Sequence, residues 1–217
     1  KNSTFKYFVF IWGNKAADTN QHVSMGELKI YGHKEGDLTR FPEPTRVLKY
    51  PHVAMTGPAQ RGYVVSASNQ LTGSTHDPWH AFDNTLSGNE GWITENRYNS
   101  ASPGEAQSGL GAIQFPAASG RYGEYIDLQL PSKIRVNNFI IKTRPAVASW
   151  EPEASPGAGY LYGSINGTAW TEIKAFSGLT YGGMGTDGGT QETVQVDSTT
   201  AYNYLRFQVT HRAGQNG

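Results

Sequence analysis

Apolar and polar residues alternate along much of this chain, and the alternation has period two. Between Glu124 and Leu130, Ile126, Leu128 and Leu130 face one way, with Asp127 and Gln129 between them. Between Tyr204 and Val209, Leu205, Phe207 and Val209 do the same. Leu28 and Ile30 alternate with Glu27 and Lys29, and Val136–Ile141 and Tyr160–Ser164 read as further strands. Period two is the signature of a strand with one buried face. Helical periodicity is nearly absent. Segments rich in Gly and Pro separate the runs, which predicts an all-β, antiparallel sandwich.

The chain opens with a copy of its own ending. Phe5 to Trp12 aligns with Tyr202 to Val209, and Lys15-Ala16 matches Arg212-Ala213. Phe8, Phe10 and Trp12 repeat the apolar face of Leu205, Phe207 and Val209. Only the first copy continues into Val23 to Gly32. A repeat of this kind marks a tandem array. It predicts that 1–32 are terminal strands of a preceding repeat, that 33–51 are a linker, and that 52–217 form a sandwich which 5–32 complete. The 19 residues of that linker, 33–51, reach roughly 60 Å when extended. The early segment can therefore close its own sandwich or that of a neighbouring copy, by strand complementation in either case. Residues 94–121 and 177–191 read as long loops.

Composition narrows the classes. Lys plus Arg and Asp plus Glu each total 18 in 217 residues, so there is no electrostatic footprint for nucleic acid or an anionic membrane. No apolar run approaches the roughly 20 residues of a membrane helix. Cysteine is absent, which excludes disulfides, thiolate metal sites and cysteine nucleophiles. The sequons at Asn2 and Asn166 are short patterns that recur by chance.

Several motifs together carry a resemblance. Tyr63 to Ser68, Trp79-His80-Ala81-Phe82-Asp83, Gly91-Trp92-Ile93, Gly123 to Pro131, and Leu161 to Ile173 resemble the discoidin domain, also called the coagulation-factor 5/8 type C domain. Tyr204–Val209 and Glu27–Gly32 resemble its last strands. The likeness covers 63–212, with 5–32 completing it. It implies an eight-stranded, jelly-roll-like β-sandwich of the galactose-binding-like type. The lead-in Val47 to Thr56 resembles the inter-domain segment of tandem discoidin-like proteins of large DNA viruses of algae. The two resemblances together imply a module of a larger, repetitive extracellular or virion-surface protein. Its expected role is non-catalytic binding or surface decoration, with a glycan or cell-surface ligand and neighbouring copies of the same module as partners. The alternatives are a structural fibre or capsid module assembled by strand complementation, and an accessory domain of a glycan-active enzyme.

The resemblance also implies a structural calcium ion. Its ligands would include Asp83, after the Ala81-Phe82 pair, and Glu27 from the last strand, with Phe82, Ser87 and Asn89 filling the shell. Calcium takes six to eight oxygen ligands, and the loop 82–92 is rich in oxygen. The competing reading is an Asx turn closed by Asp83. For a sugar, an aromatic platform is needed with polar groups around it. Trp150, flanked by prolines, is the candidate platform, and Arg144, Glu151, Tyr98, Asn99, Tyr181 and His76 are the candidate polar partners. Trp12, Trp79, Trp92 and Trp170 read as core.

Catalytic patterns are weak. His76 and His80 are four residues apart, a spacing that shares a face only on a helix, and Pro78 lies between them. Glu151 and Glu153 sit beside prolines without an acid–base partner. No phosphate-cradling loop or nucleophile elbow occurs.

Overall fold

The computed structural model describes residues 24–25, 27–34, 47–86, 90–99, 104–144, 154–181 and 190–213. Within them run β1 (Ser24–Met25), β2 (Glu27–Lys34), β3 (Leu48–Tyr50), β4 (Ala59–Gln60), β5 (Tyr63–Ala67) and β6 (Trp92–Ile93). They are followed by β7 (Glu124–Lys142), β8 (Pro156–Ser164), β9 (Trp170–Phe176), β10 (Gln191–Gln195) and β11 (Tyr202–Arg212). Short 3-10 turns occupy Ser74–His76, Pro78–Phe82 and Ser108–Leu110. All of the ladders are antiparallel.

β7 organises the fold because it belongs to two leaves. Its first half pairs with β5 and β11, and β11 continues to β8 and β9. Its second half pairs with β2 and β10, and β2 continues to β3. Pro131 sits at the change-over. β5 and β11 both reach Gln129, and pairing resumes at Ile134. A proline without an N–H is tolerated there because no ladder bond is asked of it. A strand that switches leaves in this way turns one antiparallel network into a sandwich. The all-β antiparallel sandwich expected from the alternation is the architecture found.

The core lies between the leaves. Ile126, Leu128 and Leu130 are buried, as are Leu205, Phe207 and Val209, the faces read from the alternation. Phe207 stacks on Phe176 with ring centres 5.1 Å apart. Phe139, from the other half of β7, meets both rings edge-on at 5.5 and 5.6 Å. Aromatic rings at such spacings favour tilted and edge-on geometry. Gly163 is required by this packing: a Cβ there would lie 2.4 Å from the ring of Tyr202.

Three readings need correction. The stretch 33–51 is not linker throughout: His33 and Lys34 extend β2, and Leu48–Tyr50 form β3, which pairs with β2. The described residues of 94–121 include the bridges Tyr98↔Ala106 and Gln114↔Tyr122 and the 3-10 turn Ser108–Leu110. Pro78 does not forbid helix. It occupies the first position of the turn Pro78–Phe82, where its missing N–H is no loss. The N-terminal copy of the repeat up to Val23 lies outside the described residues, but β2 pairs with β7 of its own chain.

Candidate functional site

The turn Pro78–Phe82 delivers three functional side chains to one place. Trp79 is half-buried and stacks on His80, with ring centres 3.7 Å apart. His80 is buried, and both of its ring nitrogens meet oxygen: Nε2 lies 3.0 Å from the Ser74 carbonyl and Nδ1 lies 2.7 Å from Asp83 Oδ2. Asp83 has a second task, because its Oδ1 accepts from the Thr85 amide at 2.7 Å. The Asx turn expected as the competing reading is therefore present, and it orients the carboxylate towards His80. The Met55 amide donates to the Phe82 carbonyl at 3.0 Å and holds the 54–56 segment against the same turn.

These elements enclose an open cleft of about 270 Å³, lined by Ala54, Met55, Thr56, Trp79, His80, Asp83, Thr85 and Glu90. An indole, two carboxylates and two threonines share this surface. The His80 Nδ1, Asp83 and Glu90 donor atoms lie within 4.8 Å of one another. One imidazole and two carboxylates suit zinc or manganese better than an all-oxygen calcium shell.

The calcium ligands read from the resemblance are placed differently. Asp83 and Phe82 end the 3-10 turn. Glu27 is 2% exposed and pairs with Lys29, whose Nζ lies 3.0 Å from its Oε2. Lys49 and Lys142 also lie within the field of Glu27. Three ammonium groups around one carboxylate make it a poor ligand for a divalent cation, because the added charge is repelled. A calcium ion shared by Glu27 and Asp83 would have to displace the Lys29 ammonium from Glu27. Ser87 and Asn89 lie outside the described residues.

The sugar-site candidates separate. Trp150 and Glu151 lie outside the described residues. Tyr98 is fully buried and is a core residue. Its hydroxyl donates to the Val209 carbonyl at 2.9 Å and accepts from the Glu124 amide at 3.1 Å, and burial pushes the phenol well up. Tyr181 is likewise interior, donating to the Pro156 carbonyl at 2.8 Å. Neither ring is available as a surface contact, because each hydroxyl satisfies a backbone group that the sandwich would otherwise bury unpaired. Asn99 is exposed, with its backbone tied to Glu105 and Arg212. His76 and Arg144 do come together. Burial pushes His76 down, and the Arg144 charge adds to that effect. Arg144 itself is buried, and neither residue lines the cleft.

Sequence reasoning passed over Glu90, Thr56 and the inward turn of His80. Asn89-Glu90-Gly91 stood in the oxygen-rich loop, which was the available signal. Thr56 had none, because only the fold brings the 54–56 segment against Pro78–Phe82. The expectation that Trp79 is core holds in part: it packs against the core and also lines the cleft.

The fold and the cleft define a β-sandwich with a loop-borne surface site. No family model matches the chain, and no curated protein matches it. Solved structures with some likeness include the family 32 carbohydrate-binding module of Streptococcus pneumoniae EndoD. It is 12% identical, with a TM-score of 0.43, over 72% of this chain and 88% of that one. A putative chitobiase fragment from Bacteroides thetaiotaomicron is 17% identical, with a TM-score of 0.40, over 69% of this chain and 77% of that one. The Clostridium perfringens protein CpGH89CBM32-5, solved with GalNAc-β-1,3-galactose, is 13% identical, with a TM-score of 0.39, over 72% and 88%.

Proposed function

We propose that this chain is a non-catalytic, glycan-binding module within a larger repetitive extracellular or virion-surface protein. The observation that carries the reading is the cleft. Trp79 lines the cleft with its indole, an apolar group of the kind that packs on the C–H side of a sugar ring, while Asp83 and Glu90 offer acceptors for hydroxyls beside it. Carboxylates and hydroxyls placed around an aromatic are how polar ligands are oriented in small sites. The turn Pro78–Phe82 and the Asx turn at Asp83 hold these groups before ligand arrives, which lowers the ordering cost of binding. The repeat of 5–12 in 202–209 supports the larger, repetitive context.

A glycan array probed with the wild type, Trp79→Ala and Trp150→Ala tests this. The wild type is expected to bind a defined set of glycans, and Trp79→Ala to weaken binding at least about tenfold, the loss of one well-packed anchor. No binding by the wild type, or full binding by a folded Trp79→Ala, would overturn it. Loss only in Trp150→Ala would move the site to residues 145–153.

A further inference from the structure

Four charged residues share one face of the leaf formed by β3, β2 and the second half of β7. Glu27 and Lys29 are two positions apart on β2 and point the same way. Lys142 stands opposite Glu27, and Lys49 stands opposite Tyr31. Directly opposed residues lie on the same side of a sheet, so both lysines join the pair. One buried carboxylate thus faces three amines in a chain that has no cysteine to cross-link it.

Lys49 has a second neighbour. Its Nζ abuts the Asn84 carboxamide, donating to Oδ1 across 35 positions of sequence. Asn84 follows directly on the Asp83 turn and takes a positive φ of 62°. That left-handed position is one asparagine tolerates, and the turn fixes where the carboxamide stands. An amine and an amide carbon therefore meet at the edge of the sandwich, within the field of the buried Glu27 carboxylate.

We propose that Lys49 and Asn84 become joined by an intramolecular isopeptide bond, with Glu27 moving the proton. The neutral Lys49 amine attacks Cγ of Asn84. The Nζ–Cγ bond forms and the Cγ–Nδ2 bond breaks. Glu27 accepts a proton from Nζ, the departing Nδ2 gains one, and ammonia leaves. Glu27 ends as it began, and no oxidant or cofactor is consumed. Two features favour the step. Burial pushes the Lys49 amine down, and the Lys29 charge pushes it the same way, against the pull of Glu27, so the nucleophilic form is easier to reach. The product also removes one ammonium from a face that carries three. Positioning does the rest, since an intramolecular attack replaces a bimolecular one. The bond would tie β3, at the end of the leaf, to the loop that carries Asp83.

The test is the intact mass of the denatured full chain. The wild type is expected to be lighter than its sequence by one ammonia, about 17 Da, and a tryptic digest to yield a branched peptide joining Lys49 to Asn84. Lys49→Arg and Asn84→Ala should each show the full mass of their own sequence. Glu27→Gln should form the bond at least about tenfold more slowly, the scale of a lost proton-transfer group. Full sequence mass in the wild type overturns the proposal and leaves Lys49 as a counter-ion. A mass loss that persists in Lys49→Arg overturns it too, because it would mark cyclisation of Asn84 on its own backbone. If Glu27→Gln does not fold, the wild-type mass and the branched peptide still decide.

Discussion

Arg206 and Asp127 face each other across the β11–β7 ladder and are joined by two hydrogen bonds of 2.7 Å, Nε to Oδ1 and Nη2 to Oδ2. The guanidinium also lies 3.6 Å from the centre of the Tyr125 ring, with Phe115 and Trp170 at 4.3 and 4.4 Å. A flat cation is needed to bond a carboxylate in its own plane while presenting both faces to aromatic rings. Arg206→Lys keeps the charge and loses one bond and the stacking. The expected cost is about 1.5–3 kcal/mol, the range for a hydrogen bond to a charged group, read as a lower urea midpoint with unchanged m. An unchanged midpoint would show that the rings contribute nothing beyond a point charge.

Glu124 makes stability depend on pH. It is fully buried, and burial pushes its carboxyl up against the opposing Ser68 hydrogen bond. The folded state thus binds this proton more tightly than the unfolded chain, whose value is near 4.5. The contribution is present in acid and is lost as pH rises through the folded value. Glu124→Gln mimics the protonated form. It should match the wild type near pH 4 and melt higher than the wild type at pH 8, as followed by circular dichroism. A variant that melts lower at pH 8 contradicts the sign.

Zinc should raise the melting temperature of the wild type through His80, Asp83 and Glu90, and His80→Gln should abolish the shift. At 100 times its dissociation constant a native-state ligand adds about 2.7 kcal/mol, roughly 5–11 °C in a domain of this size. Calcium should have no comparable effect, because the lysines around Glu27 disfavour a second cation there. A calcium shift as large as that of zinc, lost in Glu27→Gln, would reverse the assignment.

Removing residues 1–34 deletes the strand between β3 and the second half of β7. The exposed edge and the uncovered core should lower the melting temperature by more than about 10 °C and promote association. Light scattering coupled to gel filtration, with a thermal melt, reads both. A monomer with an unchanged melt would show that β2 is dispensable.

Much of the fold was legible in the chain because burial on one face of a strand imposes period two, which needs no knowledge of partners. Ile126, Leu128, Leu130, Leu205, Phe207 and Val209 could therefore be placed by alternation alone. The strand ends were less legible. His33 and Lys34 look like linker until β7 supplies their pairing. Polarity likewise suggested that Tyr98 and Tyr181 were surface groups, yet both bury a ring and bond a backbone carbonyl. A tyrosine's composition is compatible with either fate, and only the packing around it chooses.

The sequence by itself determined the all-β class and the alternating core faces, because each is a local consequence of side-chain type and spacing. The tertiary structure decided which charges meet. Lys49 and Lys142 are brought to the face of Glu27 and Lys29 by ladder register, and Asp83 comes together with His80 and Glu90 in space. Charge interactions depend on distance in space rather than separation along the chain. For that reason the oxygen-rich loop suggested calcium from composition alone, whereas only the fold shows that Glu27 is paired with Lys29.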